Sequence, residues 1–109
     1  MELEIKGKKY ELNFGVKFVR LADDRLGLKN ALNVEFGMAL GRIIPSLKGY
    51  DTAVLSEVIS IAATPSLSLN DADAYIDDPN TDIEALLKDV LKEMESANAV
   101  KLAAKKLKG

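Results

Sequence analysis

ELEIKGKKYELNF, residues 2–14, alternates apolar and polar positions on both sides of a glycine. Leu3 and Ile5, then Tyr10, Leu12 and Phe14, fall on one face of an extended chain, the period-two pattern of half-buried strands. Gly7 lies between the two runs, so the stretch predicts a β-hairpin with its turn at Lys6–Lys8. A lone hairpin is marginal in water and must lean on something else. The rest of the chain is helical in pattern. The expected fold is therefore α+β, mainly α, with an N-terminal β-hairpin packed on a helical domain that carries a long C-terminal helix.

Val16, Val19 and Leu21 to Leu26 predict a short amphipathic helix closed by Gly27, a suitable left-handed residue at a helix end. Asp51 is a good N-cap for a helix from Thr52 to Ala63, with Val54, Leu55, Val58, Ile59 and Ala62 as its buried stripe. Thr64-Pro65 ends it, because the residue before a proline is driven out of the helical region. Asn70 or Asp71 can start a short helix through Tyr75 and Ile76, which Asp78-Pro79 closes. The last helix begins near Asn80 or Thr81, with Asp82 and Glu84 in a first turn where the helix dipole favours acids. Ile83, Leu86, Leu87, Val90, Leu91, Met94 and Ala97 then line one face for about four turns.

Residues 35–49, EFGMALGRIIPSLKG, have helical apolar spacing but an unfavourable composition. Phe36, Ala39, Leu40, Ile43, Ile44 and Leu47 recur at three- and four-residue steps, and Asn30 or Asn33 can cap the helix. Against this, each of Gly37 and Gly41 costs about 0.8–1.0 kcal/mol relative to alanine, and an interior proline such as Pro45 costs about 3 kcal/mol. Either close packing or contact with a partner would account for such a helix.

At 109 residues the chain forms one domain, 1–109, made of the hairpin at 2–14, a helical body at 15–97 and a basic tail at 98–109 that is open to fraying. Cysteine and histidine are both absent, which removes disulfides, thiolate metal sites and the commonest general base. The N-terminus lacks the basic start and apolar core of a signal peptide, so export is not expected. No uninterrupted apolar run is long enough to span a membrane. The net charge of −2 gives no reason to expect nucleic acid.

Charge is nevertheless segregated. No basic residue lies between Lys48 and Lys88, whereas Asp51, Glu57, Asp71, Asp73, Asp77, Asp78, Asp82 and Glu84 do. The end reverses sign with Lys101, Lys105, Lys106 and Lys108. Opposite patches of this kind lead us to expect a homo-oligomer.

The richest acidic segment, Asp71 to Asp82, fails as a calcium loop. Tyr75 stands where a ligand is needed, Ile76 replaces the turn glycine, and Asp82 is shorter than the usual bidentate glutamate. Asp23-Asp24 and Asp77-Asp78 are adjacent pairs, which point apart on a helix, and neither a phosphate-binding loop nor a nucleophile elbow accompanies them. No catalytic, cofactor or metal residue is assigned, and the protein is not expected to be an enzyme. The four C-terminal lysines lack the interleaved aromatics and arginines of a nucleic-acid tail.

The opening MELEIKGKKYELNFGVKFVRLAD resembles the start of tail assembly chaperones of long-tailed, siphovirus-type phages, especially those of Gram-positive hosts. Ile5, Gly7, Lys8, Tyr10, Leu12, Phe14, Phe18 and Asp23 carry the likeness. The later order is similar too: a glycine-containing helix, Tyr50-Asp51, the helix with LSEVISIAAT and an acidic helical C-terminal part. The resemblance runs to about residue 95.

The resemblance implies a phage tail assembly chaperone that binds the tape measure protein, keeps it soluble and promotes tail tube assembly around it. It also implies contact with the tail tube protein, action in the host cell cytoplasm during virion assembly, absence from the mature virion, and a longer form made by frameshifting. Under that reading Phe36, Met38, Leu40, Ile43 and Ile44 are the candidate partner-binding residues, and the sequence leaves open which are core and which are client surface. The alternative is a small structural adaptor or tube-associated protein of the phage particle.

Overall fold

The computed structural model describes residues 1–26 and 37–108, with side chains through Lys105 in the last helix. Strands β1 (Glu2–Ile5) and β2 (Lys8–Leu12) pair antiparallel in the register Leu3↔Tyr10 and Ile5↔Lys8. Lys6 and Gly7 close the hairpin with φ of 53° and 75°, the two positive values that match a tight turn to strand twist. Leu3, Ile5, Tyr10 and Leu12 are buried, while Glu2, Glu4, Lys9 and Glu11 are exposed, as the alternation predicts.

Helix α1 (Val16–Leu26) buries Phe18, Val19 and Ala22. The Phe14 and Phe18 rings meet edge to face at 5.0 Å, joining the hairpin to this helix. Val16, expected in the buried stripe, is instead 53% exposed at the first turn. Gly27, Asn30, Asn33 and Phe36 lie outside the described residues.

Helix α2 (Leu40–Lys48) follows a turn at 37–39 and has no side-chain cap from its own N-cap residue, Ala39. Asp23 of α1 serves instead, accepting the Gly37 amide at 2.7 Å and the Ala39 amide at 3.0 Å. At the other end the Asp51 amide bonds the Ser46 carbonyl and the Tyr50 amide bonds Leu47, the paired pattern of a left-handed helix stop. Tyr50 occupies the position glycine usually takes, with φ of 63°. Asp51 then caps α3 (Thr52–Ala62) by accepting the Val54 amide at 3.0 Å, as expected.

The chain leaves α3 extended and adds β3 (Ala63–Thr64) to the sheet, antiparallel to β2 through Leu12↔Ala63. Pro65 explains the extension of Thr64, but a third strand is not legible in so short a segment. Helix α4 (Leu69–Asp77) is capped by Ser68 rather than by Asn70 or Asp71. Helix α5 (Ile83–Ser96) starts after the cap Asp82 and is the longest of the described helices.

Residues 98–108 form a separate helix, α6 (Asn98–Lys108), against α1, α2 and α5. Val100 is fully buried and Ala103 nearly so, which anchors the first turns of this helix in the core. One core unites the layers, with Val19, Leu40, Ile43, Leu47, Leu55, Val58, Ile59, Val90, Met94 and Val100 as its most enclosed large side chains. The architecture is α+β and mainly α, a three-stranded antiparallel sheet with helices packed on it.

Candidate partner-binding surface

Helix α2 separates the candidate residues by its own geometry. Leu40, Ile43 and Leu47 recur at three- and four-residue steps and face inward, with Leu40 and Ile43 at 0% and 1% exposure. Those two are core, so no partner can reach them without rearrangement of the fold. Ile44 is half-buried at the margin of that stripe, Met38 is half-buried in the turn before α2, and Phe36 lies outside the described residues.

Ile44 lines an open groove of about 340 Å³ with Glu95, Val100, Lys101, Ala104 and Lys105. Ile44 of α2 and Ala104 of α6 are partly exposed there, whereas Val100, also in its lining, is fully buried. Lys101 and Lys105 stand one helical turn apart on its margin, and neither has an ion-pair partner among the described residues. Lysines that the sequence suggests are a solvated helix end are therefore set beside an apolar strip. Nothing local could have revealed this, because α2 and α6 are some fifty residues apart in the chain.

A second groove runs between α1 and α3, lined by Val16, Lys17, Leu21, Arg25, Ser60 and Ile61. Leu69 of α4 stands close by with Arg25, Glu57, Ser60 and Ile61, and is 45% exposed. Tyr50 and Leu102 are also exposed, at 60% and 72%. Sequence reasoning left Leu69 and Leu102 unremarked, took Val16 as part of a helical stripe and named Tyr50 only in the Tyr50-Asp51 step. Only Tyr50 carried a signal, its place between Gly49 and the capping Asp51.

Four acids of the acidic segment, Asp71, Asp73, Asp78 and Asp82, are spent on structure. Asp71 meets Lys6 at 2.6 Å, tying α4 to the hairpin turn, and that ammonium holds its carboxyl below the ordinary value. Asp73 accepts the hydroxyl of buried Ser56, Asp78 accepts the Asn80 amide at 2.9 Å, and Asp82 accepts the Ala85 amide at 3.1 Å. Burial pushes the Tyr75 phenol up. No group of three or more acidic residues able to hold a metal occurs among the described residues, and none of the described helices is long and apolar enough to cross a membrane.

What this arrangement offers is contact: an apolar strip with a basic margin, on helices anchored in the core. The family model described as phage tail assembly chaperone protein matches residues 2–108. No curated protein and no solved structure matches the chain.

Proposed function

We propose a client for a chain that belongs to the phage tail assembly chaperone family: the tape measure protein, which it binds and keeps soluble while tail tube protein assembles around it. The supporting observation is the groove where Ile44 and Ala104 are partly exposed beside Lys101 and Lys105. An amphipathic helix can lay its apolar face on such a strip, with side chains spaced by one turn as anchors. A repeated helical client needs modest affinity at many places, and a shallow groove suits that better than a deep pocket. On this reading Ile44 and Met38 belong to the client surface, whereas Leu40 and Ile43 support it from the core.

The same reading has the protein acting in the host cell cytoplasm in several copies, leaving before the virion matures, and being made also in a longer frameshifted form. Mass spectrometry of purified virions checks the departure: abundant protein in finished particles would favour a structural adaptor instead.

The direct test is co-expression with a tape measure fragment that carries amphipathic heptads. The intact protein should raise the soluble fraction of the fragment, and Ile44→Asp should stay folded by circular dichroism yet lose the rescue. Ile43→Asp should unfold, since an unpaired carboxylate in the core costs several kcal/mol. No rescue by the intact protein would overturn the client assignment, and rescue by folded Ile44→Asp would remove the groove from it.

A further inference from the structure

Lys17, Leu21 and Arg25 follow one another at four-residue steps on α1, which sets them in one row along the helix. All three line the groove between α1 and α3, with Leu21 half-buried between two exposed cations. The facing wall is the end of α3, Ser60 and Ile61, with the extended chain that follows it. Apolar surface is open near each cation: Val16 beside Lys17 is 53% exposed, and Leu69 near Arg25 is 45% exposed.

Neither cation is neutralised within the fold. Lys17 and Arg25 take part in no ion pair among the described residues. Glu57, at the Arg25 end, is the single acid among the described residues lining this groove or its extension towards Leu69, and it makes no ion pair either. Of the two acids on α1, Asp23 is turned to the Gly37 and Ala39 amides, and Asp24 is outside the lining. A groove of about 340 Å³ admits side chains rather than a whole helix, so an occupant rides on its rim and inserts an anchor.

We propose that this groove docks an acidic amphipathic helix of a partner protein, one whose apolar side chain is flanked by a carboxylate one turn away on each side. Eight residues of helix rise about 12 Å, so two carboxylates eight positions apart are spaced like Lys17 and Arg25. The residue midway between them then meets Leu21. Charge at both ends selects and positions the partner, while the inserted side chain supplies the apolar contact. The groove shares no lining residue with that of Ile44, so this contact stands apart from the client assigned above.

The test titrates the isotope-labelled full chain with alanine-based helical peptides of about 20 residues. A peptide carrying Glu-x3-Leu-x3-Glu should shift the amide signals of residues 16–25 and 60–67, and should bind less tightly as salt rises. The same peptide with lysine in place of both glutamates, or with serine in place of leucine, should bind at least roughly tenfold more weakly. K17E/R25E should lose the acidic peptide to the same extent and gain the basic one, with circular dichroism checking that it is folded. Should the reversed pair unfold, K17Q/R25Q should show the loss without the gain. No binding of the acidic peptide, shifts centred elsewhere on the surface, or indifference to the leucine or to the charges at 17 and 25 would overturn the proposal. None of these measurements involves the tape measure, so the client proposal is left to its own test.

Discussion

Gly37 and Ala103 are in contact closer than any side chain at position 37 would permit. A Cβ added to Gly37 would stand 2.5 Å from the Cβ of Ala103, and the backbone at Gly37 has φ of 88°. The first glycine of the weak-looking helix is thus outside the helix proper, at the turn where α6 crosses over the start of α2. Intramolecular close approach accounts for it. Gly41 and Pro45 are both exposed on α2, where water can take the carbonyl that Pro45 leaves without its helical donor.

Gly37→Ala should therefore destabilise the fold by roughly 2–4 kcal/mol, combining left-handed strain with overpacking against α6. Adding Ala103→Gly should recover the steric part only. Urea unfolding of the single and double variants gives the coupling, which should be about 1 kcal/mol or more. Additive effects would mean that the two positions do not touch in solution.

Asp23→Ala should cost about 1–2 kcal/mol, because it leaves the Gly37 and Ala39 amides without their acceptor. Asp23→Asn should keep part of the stability, as its amide oxygen still accepts. Hydrogen exchange should show the loss concentrated at residues 37–43. A uniform loss across the protein would argue against a capping role.

Neighbouring isoleucines on α2 should respond differently. Ile43→Ala should lose about 2–5 kcal/mol through cavity formation in the core. Ile44→Ala should lose about 1 kcal/mol, in keeping with its half-buried place on the groove. Thermal melts of the pair check this, and equal losses would show that Ile44 is enclosed.

The Lys6–Asp71 contact should carry a pH signature. Lys6 holds the Asp71 carboxyl below its ordinary value of 3.8, so the stabilisation is present above that value and is lost as pH falls through the lowered one. In Lys6→Met the Asp71 titration, followed by NMR, should move upward. The stability gap between Lys6→Met and the unmodified protein should be constant above about pH 5 and close in stronger acid. An Asp71 titration indifferent to Lys6 would place the contact outside the solution ensemble.

The sequence alone determined what depends on neighbours within about one helical turn. Alternation at Leu3, Ile5, Tyr10 and Leu12 yielded the hairpin, and three- to four-residue spacing yielded the buried stripes of α3 and α5. Asp51 was legible as a cap because its carboxylate reaches an amide three residues on. Ser68 works the same way but was passed over in favour of the equally suitable Asn70 and Asp71. Tertiary structure alone decided what joins distant segments: Asp23 capping α2 from α1, β3 pairing with β2, and Gly37 yielding to Ala103. It also decided the candidate site, since Ile44 became a groove residue only when α6 settled beside it and brought Val100, Ala104, Lys101 and Lys105. Helical periodicity fixes which residues share a face, but it carries no information about how far that face extends under its neighbour. That depth is set by how the whole core closes, and it is what separates Ile43 from Ile44.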